Sequence, residues 1–220
     1  MALSLTSASS LPISRRVYRE DNYLSALADY TLYLRNFLKD SRVAAVMPTS
    51  EAACNTICNQ IDFLRANTIV EIGAGSGTIT RHLLRRMDNE AQLHVIETNM
   101  GLLKQLRRGL RDSRLHHYHN DGRNIADICE EKQIKPDVII SGIPLTYMKG
   151  RELSLYMQNL LSSISAHGKL IIYQAWFPPV CFAARTRRYL KSCFKEVSSE
   201  VVYSNLPPLI VLGARPRIEL

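Results

Sequence analysis

The sequence has no uninterrupted apolar run of the length that a transmembrane helix needs, which is about 20 residues. The longest candidate, residues 170–184, is broken by Gln174 and by a Pro–Pro pair at 178–179. The first residues, MALSLTSASSLPIS, also lack the charged start and continuous apolar centre of a signal peptide. We therefore expect a cytoplasmic protein that contacts a membrane only peripherally, at its inner face.

Cysteines are few and lack the spacing of a disulfide framework. The chain has 5, an odd number, and only Cys54 and Cys58 lie one helical turn apart. No further cysteine or histidine lies near them at ligand spacing, so no metal site is predicted. The HHYH run at 116–119 is interpreted as an alternating strand. A reducing, cytosolic setting accounts for this cysteine usage.

Acidic residues are outnumbered by basic ones. The 20 Asp and Glu stand against 28 Lys and Arg, which gives a formal net charge of +8. Such a charge favours an anionic partner, either nucleic acid or an anionic membrane surface, without choosing between them.

The pattern of apolar residues divides the chain in two. Residues 1–66 are predicted to form a cap of amphipathic helices that faces substrate or membrane. Its helices are expected at about 21–39 and 50–65, with Ser50 as N-cap of the second. Residues 67–220 are predicted to form the core, in which apolar runs of strand length alternate with helical stretches.

This alternation predicts an α/β, doubly wound, Rossmann-like sheet of five parallel strands with a C-terminal antiparallel hairpin. The parallel strands are expected at 68–72, 93–97, 115–119, 137–141 and 169–174, and the hairpin strands at 195–204 and 208–214. Helices are expected at 77–87, 100–111, 124–132, 151–166 and near 185–190.

The stretch VEIGAGSGTIT, residues 70–80, places Gly73, Gly75 and Gly77 between the first strand and its helix. Glycine is needed where backbone approaches a ligand closely, and this turn opens at the edge of the sheet where ligands bind. Thr78 occupies the slot in which a dinucleotide site has its third small residue, and no Gly-Lys-Ser/Thr follows. A bound pyrophosphate is therefore disfavoured.

Three acids accompany this turn. Glu71 precedes it, Glu97 ends the second strand, where a carboxylate can bind ribose hydroxyls, and Asp121 follows the third. Each also has a plainer interpretation, Glu71 and Glu97 as strand-end acids and Asp121 as the start of a turn.

Glycines and acids in this order resemble the class I S-adenosylmethionine-dependent methyltransferases, from about residue 69 to the C-terminus. The resemblance implies S-adenosylmethionine as cofactor and S-adenosylhomocysteine as product. It places the glycines near the methionine moiety and ribose, Glu97 at the ribose and Asp121 near the adenine. The implied cofactor-binding residues are Glu71, Gly73, Gly75, Gly77, Glu97, Thr98, Asp121, Gly122 and Ser141.

Three further stretches bear on the acceptor: FLKDSRVAAVMPTS (37–50), SGIPL (141–145) and NLPPLIV (205–211). Together they resemble bacterial phospholipid N-methyltransferases, which convert phosphatidylethanolamine towards phosphatidylcholine. The resemblance implies a phospholipid substrate with an amine headgroup. The sequence departs from that family's pattern at Ser41, Ala44, Thr49, Gly142 and Ile143.

The main alternative is RNA methylation, because the glycine-rich motif also resembles the ribosomal RNA adenine dimethylases and the net charge suits RNA. Enzymes of that kind carry Asn or Asp after the fourth strand, followed by Pro and an aromatic residue. Here Pro144 is kept, but Ser141 replaces the Asn or Asp and no aromatic follows directly. A third alternative is a non-catalytic scaffold that binds the cofactor.

An amine acceptor must lose a proton and present its lone pair to the methyl group. Tyr147 is the candidate side chain for this step, and the carbonyls of Ser141 and Ile143, beside Pro144, are candidates to orient the amine. Membrane contact is predicted for the N-terminal helix, which follows Arg15, Arg16 and Arg19, and for the aromatic and basic stretch at 175–191.

Overall fold

The computed structural model describes residues 49–143, 145, 148, 150–175 and 188–216. The helix predicted at 21–39, Pro144, Tyr147 and most of the stretch predicted to contact membrane lie outside these residues.

Strands and helices alternate along the described chain. In order, they are α1 (Glu51–Cys58), β1 (Thr68–Ile72), α2 (Thr78–Arg86), β2 (Gln92–Glu97), α3 (Met100–Gly109), β3 (Leu115–His119), a 3-10 turn (Gly122–Asn124), α4 (Ile125–Lys132), β4 (Val138–Ser141), α5 (Gly150–Ser163), β5 (Lys169–Ala175), β6 (Phe194–Val202) and β7 (Leu209–Pro216). Residues 188–193, before β6, are also helical and are called α6.

The strands form one sheet of seven in the order β3-β2-β1-β4-β5-β7-β6. The first five run parallel, while β7 pairs antiparallel with both β5 and β6. Ile72 at the end of β1 is level with Ile96 on β2 and Ser141 on β4, so the carboxyl ends of these strands share one edge. The predicted Rossmann-like sheet with its C-terminal hairpin is confirmed.

Helices cover both faces of the sheet, because the parallel strands are apolar on both sides. On one face, α1 and α2 pack against a cluster that includes Ile69, Ile140 and Ile171. On the other face, α4, α5 and Leu190 of α6 pack against a cluster that includes Val70 and Ile139. Among the described residues, no helix is long and apolar enough to cross a membrane.

The helix predicted at 50–65 is shorter than expected. Ser50 is its N-cap, as predicted, since its hydroxyl accepts a hydrogen bond from the Ala53 N–H at 3.2 Å. The helix nevertheless ends at Cys58. Asp62 then begins a local turn, in which its carboxylate accepts from the Leu64 N–H, and Leu64 is 96% exposed. Aspartate competes with helix propagation in this way.

Asn205 ties the start of α1 to the loop between the hairpin strands. Its amide oxygen accepts from the Ser50 N–H at 2.7 Å, and its amide nitrogen donates to the Pro207 carbonyl at 2.6 Å. Leu209, which opens β7, lies opposite Ala175 at the end of β5, so this loop lies at the carboxyl edge. The hydrogen bond between Ser50 and Asn205 therefore joins the stretches at 37–50 and 205–211, at the edge where ligands bind.

We expect Asn205→Ala to lower the free energy of unfolding by about 2 kcal/mol, because it leaves the Ser50 N–H and the Pro207 carbonyl without their partner. Urea unfolding measures this loss. The matched control is Asn67→Ala, which changes an exposed asparagine. Equal stability of the two variants would contradict this role of Asn205.

Candidate functional site

The turn between β1 and α2 is held in a conformation that only glycine adopts at low cost. Gly73, Gly75 and Gly77 have φ angles of 78°, 56° and 76°, all in the left-handed region, which costs other residues about 1 kcal/mol or more each. The Gly73 N–H donates to the Ile96 carbonyl at 2.8 Å, which fixes the turn beside the end of β2.

Glu97 holds the middle of this turn. Its carboxylate is buried, and it accepts from the Gly75 N–H at 2.9 Å, the Asn99 N–H at 2.8 Å and the Thr98 hydroxyl at 3.4 Å. A carboxylate offers about four acceptor positions, so one remains for a hydroxyl of a bound ligand. The exposed Thr98, also predicted in the site, contacts Glu97 directly.

Glu71 lies on the neighbouring strand and is fully buried. One carboxylate oxygen accepts from the Thr80 hydroxyl at 2.6 Å, and the other has no hydrogen-bond partner within the described part of the chain. Burial raises the pKa of this carboxyl to about 7; the Thr80 hydroxyl lowers it and the charge of Glu97 raises it further. A buried acid with an unsatisfied oxygen is suited to a cationic ligand.

The loops that follow β3 and β4 meet beside the glycine turn that follows β1. A Cβ on Gly73 would lie 3.7 Å from the Gly142 carbonyl carbon and 3.8 Å from the Ile143 nitrogen. A Cβ on Gly122 would lie 2.9 Å from Ile143 Cδ1 and would collide with the side chain of Ile72. The structure therefore brings together Gly73, Gly122 and Ile143, all predicted as site residues.

Asp121 caps the 3-10 turn that it precedes. One of its oxygens accepts from the Arg123 N–H at 2.9 Å, and the other pairs with the Arg123 guanidinium. These bonds to Arg123 lower the pKa of the Asp121 carboxyl. The plainer interpretation, that Asp121 starts a turn, describes what is seen, and its contact with an adenine stays a prediction.

The Ser141 hydroxyl does not face this site. It lies 2.8 Å from the Tyr156 hydroxyl of α5, and both residues are buried on the opposite face of the sheet from Glu71. Only the backbone carbonyl of Ser141 is left for the role predicted for this residue. Pro144 and Tyr147 lie outside the described residues, so their roles stay predictions.

The pattern of the sequence did not single out Tyr173. This residue lies on β5, and its hydroxyl and ring occupy the space in which a residue other than glycine at position 142 would have its Cβ. The signal was present as an unexplained Gly142 in the SGIPL stretch, but only the pairing of β4 with β5 connects the two positions.

The histidines of the HHYH run form a strand, as predicted, and contact neighbouring side chains. His94 of β2 stacks on His116 with ring centroids 4.8 Å apart, and its Nδ1 lies 2.9 Å from the Tyr118 hydroxyl. Burial, followed by the charge of His116, lowers the pKa of His94 to about 4. These contacts between His94, His116 and Tyr118 join the side chains of β2 and β3.

Comparisons with known proteins agree with this geometry. Residues 33–172 match the family model of the ribosomal RNA adenine dimethylases, and the chain belongs to this family. Over 185 residues it is 25% identical to the ornithine lipid N-methyltransferase of Singulisphaera acidiphila, covering 83% of this chain and 93% of the relative.

Solved structures share the fold. One is the precorrin-6Y C5,15-methyltransferase of Geobacter metallireducens, with a TM-score of 0.59 and 13% identity over 76% of this chain and 89% of the other. Another is the N-methyltransferase NodS of Bradyrhizobium japonicum in complex with S-adenosyl-L-homocysteine, with a TM-score of 0.54 and 16% identity over 74% of this chain and 83% of the other. The chain is a class I S-adenosylmethionine-dependent methyltransferase.

The residues at the carboxyl edge fit this cofactor. S-Adenosylmethionine carries a cationic sulfonium, an ammonium group and ribose hydroxyls. The structure offers the unsatisfied oxygen of Glu71, the open acceptor position of Glu97 and a turn of glycines with left-handed backbone. These features are compatible with a ligand that combines positive charge with hydroxyl donors.

The raised pKa of Glu71 predicts that the free energy of unfolding falls as the pH rises towards 7. Its pKa is about 7 in the folded protein and 4.5 ordinarily, so between these values the folded state holds a proton that the unfolded state has lost. Its contribution to stability is therefore complete below pH 4.5 and disappears as the pH rises through 7. The shift corresponds to about 3 kcal/mol.

We expect the stability of Glu71→Gln, relative to the wild type, to rise by about 2 to 3 kcal/mol between pH 5 and pH 8, because glutamine does not titrate. Urea unfolding of the cofactor-free proteins measures this. His94 titrates in both proteins and cancels, and the exposed Glu90→Gln serves as control. Parallel pH profiles for Glu71→Gln and the wild type would show that Glu71 is ionised in the folded state.

Proposed function

We propose that the chain transfers methyl groups to the amine of a lipid headgroup, with phosphatidylethanolamine as the candidate acceptor. The observation that carries this proposal is the similarity to an ornithine lipid N-methyltransferase over 83% of this chain and 93% of the relative. Ornithine lipids and phosphatidylethanolamine both present a primary amine beside an apolar body. The SGIPL and NLPPLIV stretches support the same substrate class.

The cofactor is proposed to lie across the glycine turn. Gly73, Gly75 and Gly77 would contact its methionine moiety and ribose, and Glu97 would accept from a ribose hydroxyl. Glu71 would favour the cationic end of the cofactor, and Gly122, beside Asp121, would border the adenine. When bound, S-adenosylmethionine supplies an activated methyl group, so the task of the protein is alignment.

The acceptor is proposed to approach over the loop after β4. The carbonyls of Ser141 and Ile143 would accept hydrogen bonds from the amine, and Tyr147 is the proposed side chain for handling its proton. The Glu97 carboxylate gives this edge a negative potential, which favours a cationic headgroup. Residues 1–66 are proposed as the cap that meets an anionic membrane surface, and the basic stretch at 175–191 is proposed to contact that surface as well.

Methylation of an adenine in ribosomal RNA is the second candidate, and the match of residues 33–172 to the adenine dimethylase family favours it. The net charge of +8 also suits RNA. Ser141 argues against this candidate, because it occupies the place of the Asn or Asp that would bind the base. Its hydroxyl lies beside Tyr156, on the other face of the sheet.

Glu97→Gln is expected to weaken binding of S-adenosylhomocysteine about 10-fold to 100-fold, because a hydrogen bond to a charged group contributes about 1.5 to 3 kcal/mol. Calorimetry measures the change, with the exposed Glu90→Gln as matched control and Gly75→Arg as a variant expected to abolish binding. An unchanged affinity in Glu97→Gln would remove Glu97 from the proposed ribose contact.

The substrate is tested with S-adenosylmethionine labelled in its methyl group. Vesicles of phosphatidylethanolamine, with and without anionic lipid, and transcripts of ribosomal RNA are offered in parallel, with Gly75→Arg as the inactive control. We expect the label in the lipid extract, and more of it when anionic lipid is present. Label in RNA but not in lipid would establish the second candidate instead.

A further inference from the structure

We propose that the hydroxyl of Tyr173 binds the amine of the acceptor and positions it for methyl transfer. This inference rests on the proposed function, since it supposes an amine acceptor at the carboxyl edge.

The hydroxyl of Tyr173 lies close to Gly142, in the loop after β4. Tyr173 lies on β5, and its Cζ would be 2.5 Å from a Cβ on Gly142, with the hydroxyl oxygen closer still. Gly142 in turn lies beside Gly73 of the cofactor turn. The hydroxyl of Tyr173 therefore lies beside Gly142, at the loop over which the acceptor is proposed to approach.

The last residue of β4 and the two residues that follow it offer no polar side chain at this position. The Ser141 hydroxyl lies 2.8 Å from that of Tyr156, on the face covered by α5. Gly142 has no side chain, and the side chain of Ile143 is apolar and packs against the cluster on the α5 face. Tyr173 projects from the opposite face, the one that it shares with α1, and brings a hydroxyl to the position that these residues leave without one.

The hydroxyl of Tyr173 is available to a ligand. The hydroxyls of Tyr118, Tyr156 and Tyr189 each have a hydrogen-bond partner. That of Tyr173 has none within the described ranges, although the residue is partly buried. Because its oxygen is not among the fully buried atoms without a partner in those ranges, it is open to a ligand at this edge.

Burial raises the pKa of Tyr173, and the charges of Glu71 from β1, Cys54 from α1 and Glu97 from β2 raise it further. The hydroxyl therefore stays protonated, so it is not a base. Its oxygen can accept a hydrogen bond from the N–H of an amine, while the carboxylate of Glu97 attracts the charge of a headgroup ammonium. This combination selects a cationic amine over a neutral aromatic base.

The test is Tyr173→Phe, which removes one oxygen and keeps the ring against Gly142. Binding of a short-chain phosphatidylethanolamine is measured by calorimetry with S-adenosylhomocysteine present, so that no turnover occurs. We expect the acceptor to bind about 10-fold more weakly or worse, with unchanged affinity for S-adenosylhomocysteine. In turnover, the KM for the acceptor should rise, while the KM for S-adenosylmethionine should not.

Tyr156→Phe is the matched control. It removes the hydroxyl of a tyrosine on α5, which packs on the other face of the sheet, is buried and has a partner in Ser141. We expect it to lower the melting temperature and leave acceptor affinity unchanged, whereas Tyr173→Phe should leave the melting temperature unchanged. If both variants lose acceptor affinity in proportion to the fall in their melting temperatures, the proposal is overturned.

Gly142→Ala tests the same geometry independently, because the added methyl group displaces the ring of Tyr173. It should weaken acceptor binding as Tyr173→Phe does. Methylation of lipid by the wild type is measured first. Its absence would overturn the proposed function and this inference with it. Wild-type lipid methylation with full acceptor affinity in Tyr173→Phe would overturn the inference alone.

Discussion

The hydrogen bond from the Gly75 N–H to the Glu97 carboxylate is the contact on which the site depends. It joins the middle of the β1–α2 turn to the end of β2 and keeps a buried carboxylate aimed at the carboxyl edge. Because Glu97 also accepts from the Asn99 N–H, the same side chain fixes the start of α3, whose N-cap is Asn99. A change in this turn would therefore expose a buried charge and loosen two helices together.

The end of β4 shows how one strand serves stability on one face and the site on the other. Ser141 faces α5 and is satisfied by Tyr156, whereas Gly142 leaves space for Tyr173 on the face of Glu71. The hydroxyl of Tyr156 on α5 has a hydrogen-bond partner, whereas that of Tyr173 on β5 has none among the described residues. This difference separates a hydroxyl that stabilises the fold from one that is free to meet a ligand.

The sequence predicted what depends on local pattern. Strand β1 and the N-cap Ser50 follow from apolar runs and cap chemistry, and the α/β class follows from the alternation of elements. Contacts between distant residues have no local signal: Tyr173 meets Gly142 because β4 pairs with β5, and Asn205 meets Ser50 because the hairpin returns to the carboxyl edge. The end of α1 was missed because the apolar spacing continues to Leu64 while Asp62 forms a competing turn.

The central claim is that the acceptor amine and the cofactor meet at the carboxyl edge, between the glycine turn, Glu97 and Tyr173. A crystal structure with S-adenosylhomocysteine and a short-chain phosphatidylethanolamine tests this claim most directly. The account predicts the ribose at Glu97 and the amine nitrogen within hydrogen-bond distance of the Tyr173 hydroxyl, about 3 Å. An amine bound elsewhere, or a cofactor away from the turn at residues 73–77, would contradict it.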